Sequence, residues 1–131
     1  MIEYTVKVDN GSKFWYLNDK LHREDGPAIE LDNGTKEWLL NGKIHREDGP
    51  AIEWSDGSKE WYLNGKLHRE DGPAIERADG HKFWYLNGQS HSEQEFNNRT
   101  QVQELTIREL EQKLGYKIKI KGESYNESIN K

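Results

Sequence analysis

The sequence predicts a mostly β protein: an antiparallel β-hairpin repeat solenoid built on a single sheet, ending in a small C-terminal α/β cap. Three observations predict it. The string H-R-E-D-G-P-A-I-E recurs behind Leu21, Ile44 and Leu67, 23 residues apart. A second string, G-x-K-x-W-x-L-N, begins at Gly11, Gly34, Gly57 and Gly80 with the same period. Asn-Gly or Asp-Gly pairs separate short β-prone runs, the strongest local hairpin signal. A fixed period of this length marks stacked structural units.

Each element follows in order. Asn10-Gly11, Asn33-Gly34, Asp56-Gly57 and Asp79-Gly80 mark one hairpin turn per unit. A second turn closes each Trp-bearing strand at Asn41-Gly42, Asn64-Gly65 and Asn87-Gly88, with Asn18-Asp19 in the first unit. The intervening H-R-E-D-G-P stretch bends the chain back. Pro27, Pro50 and Pro73 lack an amide donor and suit the start of the next strand. The N-terminus is a partial unit, with Val6 and Val8 standing 23 residues before Ile29 and Leu31. Its hairpin is expected from about Ile2 to Leu17. Four hairpins in series reach Leu86, and since one hairpin is marginal alone, stability must come from neighbours.

Alternation assigns two faces. Trp15 with Leu17, and their copies Trp38, Leu40, Trp61, Leu63, Trp84 and Leu86, do not vary between units, so they are assigned to the core. Ile29, Ile52 and Ile75 are expected to join that face. Phe14 and Tyr16, with Glu37, Leu39, Glu60, Tyr62, Phe83 and Tyr85, fall on the opposite, variable face and are assigned to the surface.

The pattern breaks after Gly88. Ser92-Glu93-Gln94-Glu95 is a capping box that starts a short helix through about Asn98. Val102 and Leu105 suggest a short strand. Thr106 to Glu109 is a second capping box, Ile107, Leu110 and Leu114 follow at helical spacing, and Gly115 ends the helix. Tyr116 to Lys121 alternates as a strand. These elements either cover the open edge of the sheet, the favoured reading, or form a separate small partner-binding element. The expected divisions are residues 1–88 for the repeats, 89–121 for the cap and 122–131 for a frayed polar tail.

Composition bounds the function. Leu, Ile, Val and Phe make up 26 of 131 residues, a low share, but five Trp, six Tyr and twelve Gly argue against disorder. No apolar run approaches the ~18–20 residues of a membrane span. Met1 to Asn10 has no basic patch before an apolar stretch, so no signal peptide is expected and a cytoplasmic location is. There is no Cys, hence no disulfide and no thiolate metal site or nucleophile. The net charge of −5 lies wholly within residues 1–88, where 12 Lys and Arg face 17 Asp and Glu. That balance disfavours nucleic acid and anionic lipid, both of which select Lys and Arg.

His22, Glu24 and Asp25, copied at His45, Glu47, Asp48 and at His68, Glu70, Asp71, resemble metal ligands in type. The favoured reading is structural, with carboxylates closing turns and each His packing on the next unit. No metal and no cofactor is expected. Residues that recur in every unit suit structure or multivalent contact better than a catalytic site, and no enzymatic activity is expected. Acidic pairs along one edge raise DNA mimicry, but Arg23, Arg46 and Arg69 interrupt the row. The candidate partner-binding residues are therefore Phe14, Tyr16, Leu39, Tyr62, Phe83 and Tyr85 on the variable face, an aromatic stripe suited to protein contact if left uncovered. Trp54 joins them because its equivalents are Leu31 and Arg77, so the fold does not demand Trp there.

A hairpin unit with N-G-K-x-H, a glycine, an aromatic strand and D-G-x-K resembles the MORN repeat over about residues 5–88. N-G-K-L-H-R-E-D-G-P-A-I-E from Asn64, with D-G-S-K at Asp56, shows it best. The chain has E-D-G-P-A where MORN units have G-x-G, and W-Y-L where they have Y-x-G-x-W. The H-R-E-D-G-P-A form is also similar to repeat proteins of tailed bacteriophages and bacteria. The MORN resemblance implies scaffolding, protein binding or lipid contact, with protein binding favoured; the phage resemblance implies a chain that binds and inhibits a bacterial host protein, such as a defence complex. The alternatives are a scaffold that oligomerises through sheet edges, or a membrane-surface module. The protein itself is expected to be a monomer or small oligomer.

Overall fold

The computed structural model of the protein describes residues 2–100 and 107–115. The chain forms two compact units, residues 1–100 and 101–131. The first is the repeat sheet, and the fold is mostly β, with no closed barrel among the described residues.

In the first hairpin, β1 (Thr5–Asp9) pairs with β2 (Ser12–Leu17) across a two-residue turn, and β2 turns again into β3 (Lys20–Leu21). Then follow β4 (Ile29–Glu30), β5 (Lys36–Glu37), β6 (Leu39–Leu40), β7 (Lys43–Ile44), β8 (Ile52–Glu53), β9 (Lys59–Glu60), β10 (Tyr62–Leu63), β11 (Lys66–Leu67), β12 (Ile75–Glu76), β13 (Lys82–Leu86) and β14 (Gln89–His91). The main antiparallel sheet runs β1-β2-β4-β5-β8-β9-β12-β13-β14, with β3 beside β2. Pairs β6-β7 and β10-β11 stand as separate two-stranded ladders. The Trp-bearing strand is thus continuous in the first and last units but interrupted at Trp38 and Trp61, while the amides of Trp15, Trp38 and Trp61 alike donate to the Ala28, Ala51 and Ala74 carbonyls at 2.8 Å.

The two turn families differ. At Asn41-Gly42, Asn64-Gly65 and Asn87-Gly88 both residues have positive φ, the mirror-type turn that matches strand twist. Asn18-Asp19 makes the same turn without glycine, at φ 52° and 62°. At Asn33-Gly34, Asp56-Gly57 and Asp79-Gly80 only the glycine has positive φ. There the loop has three residues, closed by an amide such as Gly34 N–H donating to the Leu31 carbonyl at 3.0 Å. Asn10-Gly11 keeps the two-residue form, pairing Asp9 with Ser12. Its hairpin therefore slips one residue against the period. Lys7, rather than Val6, stands opposite Phe14, and Val6 stands opposite Trp15. A one-residue slip exchanges the faces, and Val8 is left 66 % exposed.

Two expectations about the faces are corrected by the register. Ile29 pairs with Phe14 and Glu37, Ile52 with Glu37 and Glu60, and Ile75 with Glu60 and Phe83, so the isoleucines share the variable face and not the Trp face. The core consists of Ala28, Ala51, Ala74, Leu39, Ile52 and Phe96, with the four repeat indoles only half-buried beside it. The small alanines leave room where the chain folds back after each proline. Leu39, assigned by alternation to the surface, is 5 % exposed.

Units are stitched to their successors. Nδ1 of His22, His45 and His68 accepts the backbone N–H of Asn41, Asn64 and Asn87 at 2.8–2.9 Å. Oγ of Ser12, Oγ1 of Thr35 and Oγ of Ser58 accept the N–H of Asp32, Ser55 and Ala78 at 2.9–3.1 Å. The expected packing of each His on the next unit takes this form.

Helix α1 (Glu93–Thr100) begins at the expected capping box, with Ser92 Oγ accepting the Glu95 amide at 3.2 Å, and it contacts β13 and β14. Its one buried side chain is Phe96. In the second unit, α2 (Ile107–Leu114) ends at Gly115, where φ is +79° and the N–H donates to the Glu111 carbonyl at 2.7 Å. The expected strands around Val102–Leu105 and Tyr116–Lys121, and the tail 122–131, lie outside the described residues. No helix among the described residues is long and apolar enough to cross a membrane.

Candidate functional site: the two faces of the repeat sheet

On the Trp side, each H-R-E-D-G-P loop folds its arginine over the indole of its own unit. The guanidinium carbons of Arg23, Arg46 and Arg69 lie 4.1, 3.8 and 3.9 Å from the ring centroids of Trp15, Trp38 and Trp61. Nε of Arg46 donates to Asp48 at 3.0 Å, and its Nη1 donates to the Pro50 carbonyl at 3.0 Å and to Glu53 at 2.9 Å. Arg69 repeats this with Asp71, Pro73 and Glu76. The glycine before each proline makes space for the guanidinium: a Cβ on Gly26, Gly49 or Gly72 would stand 3.0, 3.1 or 2.9 Å from the arginine Cζ. The arginines that interrupt the acidic row are thus neutralised within their own loops.

Two open grooves of about 640 and 660 Å³ lie between successive loops. Trp61, Leu63 and Pro50 line one of them, Trp38, Leu40 and Pro27 the other. Exposed carboxylates rim both grooves, Glu47 and Asp48 among them. His22 Nε2 is buried without a hydrogen-bond partner, 3.6 Å from Glu24. Among the described residues, no three His, Asp or Glu side chains converge as a metal site.

The opposite face carries one continuous row of side chains in direct cross-strand register, Phe14–Ile29–Glu37–Ile52–Glu60–Ile75–Phe83. Six of the seven sequence-predicted residues emerge on this face at least partly accessible; Leu39 is in the core. Phe14 and Tyr16 are half-buried in β2, with Lys7 Nζ 4.8 Å from the Tyr16 ring. Phe83 is 36 % exposed with Arg77 stacked 4.9 Å from its ring, and Tyr85 is half-buried. Strands β4, β5, β8, β9 and β12 separate these two ends, so the stripe is two aromatic ends and a mixed middle.

The middle brings Trp54 and Tyr62 together through Glu60. The indole Nε1 of Trp54 donates to Glu60 Oε2 at 2.6 Å, and the Tyr62 hydroxyl donates to Oε1 at 3.0 Å. Burial, and then the bond to Glu60, push the Tyr62 phenol up to about 12. Burial, and then the charge of Glu60, raise the Glu37 carboxyl above its usual range. Sequence alternation placed Glu37 and Glu60 on this face only as charges between aromatics. The signal of a role was their position: they occupy the places of Phe14 and Phe83 in the neighbouring units.

The fold and its faces define a tandem β-hairpin repeat protein. No family model, curated protein or solved structure matches the chain.

Proposed function

We propose that the chain is a non-catalytic, MORN-like interaction module that grips a protein partner on the face carrying Phe14, Tyr16, Trp54, Tyr62, Phe83 and Tyr85. The observation that carries this reading is the exposure of Trp54, at 42 %, on a rigid row of cross-strand side chains. A large aromatic at a position where other units hold Leu31 or Arg77 is not required for folding, and exposed aromatics are favoured contact anchors. The similarity to phage and bacterial H-R-E-D-G-P-A proteins extends the reading to a bacterial host protein as the partner, a defence protein being one such target.

The test is capture from a bacterial lysate by the full chain and by Trp54→Arg, the residue the last unit carries at that place. Loss of a captured protein with Trp54→Arg, at unchanged thermal stability, supports the reading. Equal capture by both overturns it.

One observation favours a second reading, a scaffold that oligomerises through a sheet edge. Strand β1 is exposed along its whole length and, among the described residues, pairs only with β2. Light scattering distinguishes the two: a monomer across the micromolar range excludes edge assembly.

A further inference from the structure

The row across the variable face holds an uncompensated charge. Four equivalent positions, 23 residues apart, carry Phe14, Glu37, Glu60 and Phe83. The two carboxylates have different surroundings. Glu60 accepts hydrogen bonds from Trp54 and Tyr62, which stand six residues before it and two after. At the same offsets from Glu37 the chain places Leu31 and Leu39. Neither can donate, and Leu39 is buried. Among the described residues Glu37 is therefore a half-buried carboxylate with no donor and no cation, flanked by Ile29 and Ile52 and repelled by Glu60. The lysines of the sheet do not help, because Lys13, Lys36, Lys59 and Lys82 pair with glutamates in the adjacent row, which alternation turns to the other face.

We propose that the stretch from Glu37 to Glu60 is the seat for an arginine side chain presented by an otherwise apolar surface of a protein partner; this rests on the binding reading above. One strand, β8, separates the two glutamates, so they stand roughly 10 Å apart at ~4.8 Å per strand. A guanidinium placed between them, above the buried Ile52, reaches both with its fork of donors. Trp54 and Tyr62 supply aromatic faces beside it, and the ends of this same face already hold cations on rings, Lys7 on Tyr16 and Arg77 on Phe83. The partly accessible Ile29 and Ile75 and the terminal phenyl rings accept the apolar remainder of the partner. A neutral or acidic partner surface would leave two carboxylates uncompensated, one of them without any hydrogen bond, which disfavours it.

The test uses the full-length protein and two capped peptides, Leu-Val-Arg-Val-Leu and its citrulline counterpart, which keeps the shape of arginine without its charge. Binding is followed by NMR on the Trp54 indole and the backbone amides of Glu37, Ile52 and Glu60. The expected result is that the arginine peptide shifts these signals with at least fivefold higher affinity than the citrulline peptide. The double variant E37Q/E60Q removes both charges, while the carboxamide at position 60 keeps one oxygen to accept from Trp54 and an NH2 that can donate to the Tyr62 hydroxyl; it should abolish that preference. Equal binding of both peptides, a preference that survives E37Q/E60Q, or no shift with either peptide overturns the proposal. In that event, lysate capture that still depends on Trp54 leaves the binding reading standing, whereas capture indifferent to Trp54 removes both.

Discussion

Arg46 lies over Trp38 with its guanidinium carbon 3.8 Å from the ring centroid, and Gly49 is the residue that lets it lie there. One side chain thus joins an indole, an aspartate, a glutamate and a backbone carbonyl within a single unit. Lysine cannot reproduce that planar, multi-donor arrangement. Arg46→Lys is expected to destabilise the protein by about 1–2 kcal/mol, the scale of a lost charge-assisted network. Gly72→Ala, where the added Cβ stands 2.9 Å from Arg69 Cζ, should destabilise by about 1 kcal/mol by displacing the guanidinium from Trp61. Urea unfolding of both variants checks this, and a loss below about 0.3 kcal/mol for each would show that the stacking is incidental.

The His stitches predict a rescue. His45→Ala leaves the Asn64 N–H without its acceptor and should destabilise by about 1 kcal/mol. His45→Asn, whose Oδ1 can take the place of Nδ1, should recover part of it. Amide hydrogen exchange is the local readout: protection of the Asn64 N–H falls in the alanine variant and returns in the asparagine variant.

Asp19 sits at φ 62° where the later units have glycine. Asp19→Gly removes this left-handed strain and should stabilise by a few tenths up to about 1 kcal/mol. A lowered melting temperature would mean that Asp19 has a contact that outweighs its backbone strain.

Glu37 sets a pH dependence. Its folded carboxyl is raised by burial and by Glu60, so the folded state holds the proton more tightly than the unfolded chain does. That contribution to stability is complete below the unfolded value near 4.5 and is lost as pH rises through the raised folded value. At neutral pH, Glu37→Gln should therefore be more stable than the parent by about 0.5 kcal/mol, the scale of a part-exposed charge. The gap should close as pH falls toward 4.5. Melting curves across that range check both the sign and the window.

Much of this fold is readable from the residues. The period, the positions of the turns and both helices follow from glycine placement, capping hydroxyl residues and helical spacing, whereas the opening of the Asn33-Gly34, Asp56-Gly57 and Asp79-Gly80 turns into three-residue loops does not. What alternation cannot supply is which face is covered. It separates Trp38 from Glu37, but Arg46 folds back over the indole, and Leu39, which alternation places with Glu37, is buried. Nor does local sequence fix the register of the first hairpin. Asp9-Asn10-Gly11 and Asp32-Asn33-Gly34 are the same tripeptide, yet one makes a two-residue turn and the other a three-residue loop. The Asp32 amide is held by Ser12 of the preceding unit. Asp9 instead pairs directly with Ser12 across the two-residue turn. The site is legible to the same degree: the aromatics announce themselves by composition, while the need of Glu37 for a donor emerges only when Leu31 and Leu39 are seen in the places of Trp54 and Tyr62.

The histidine and hydroxyl stitches span only 19 or 20 residues, so each repeat answers solely to its successor. The array accordingly has no preferred number of repeats. In-frame duplication of any 23-residue block delivers a new member whose donors and acceptors are met on both sides. Lineages can lengthen or shorten the gripping surface in whole steps while the N-terminal hairpin and α1 stay as they are, and a partner that changes its footprint can be followed by copying rather than by redesign.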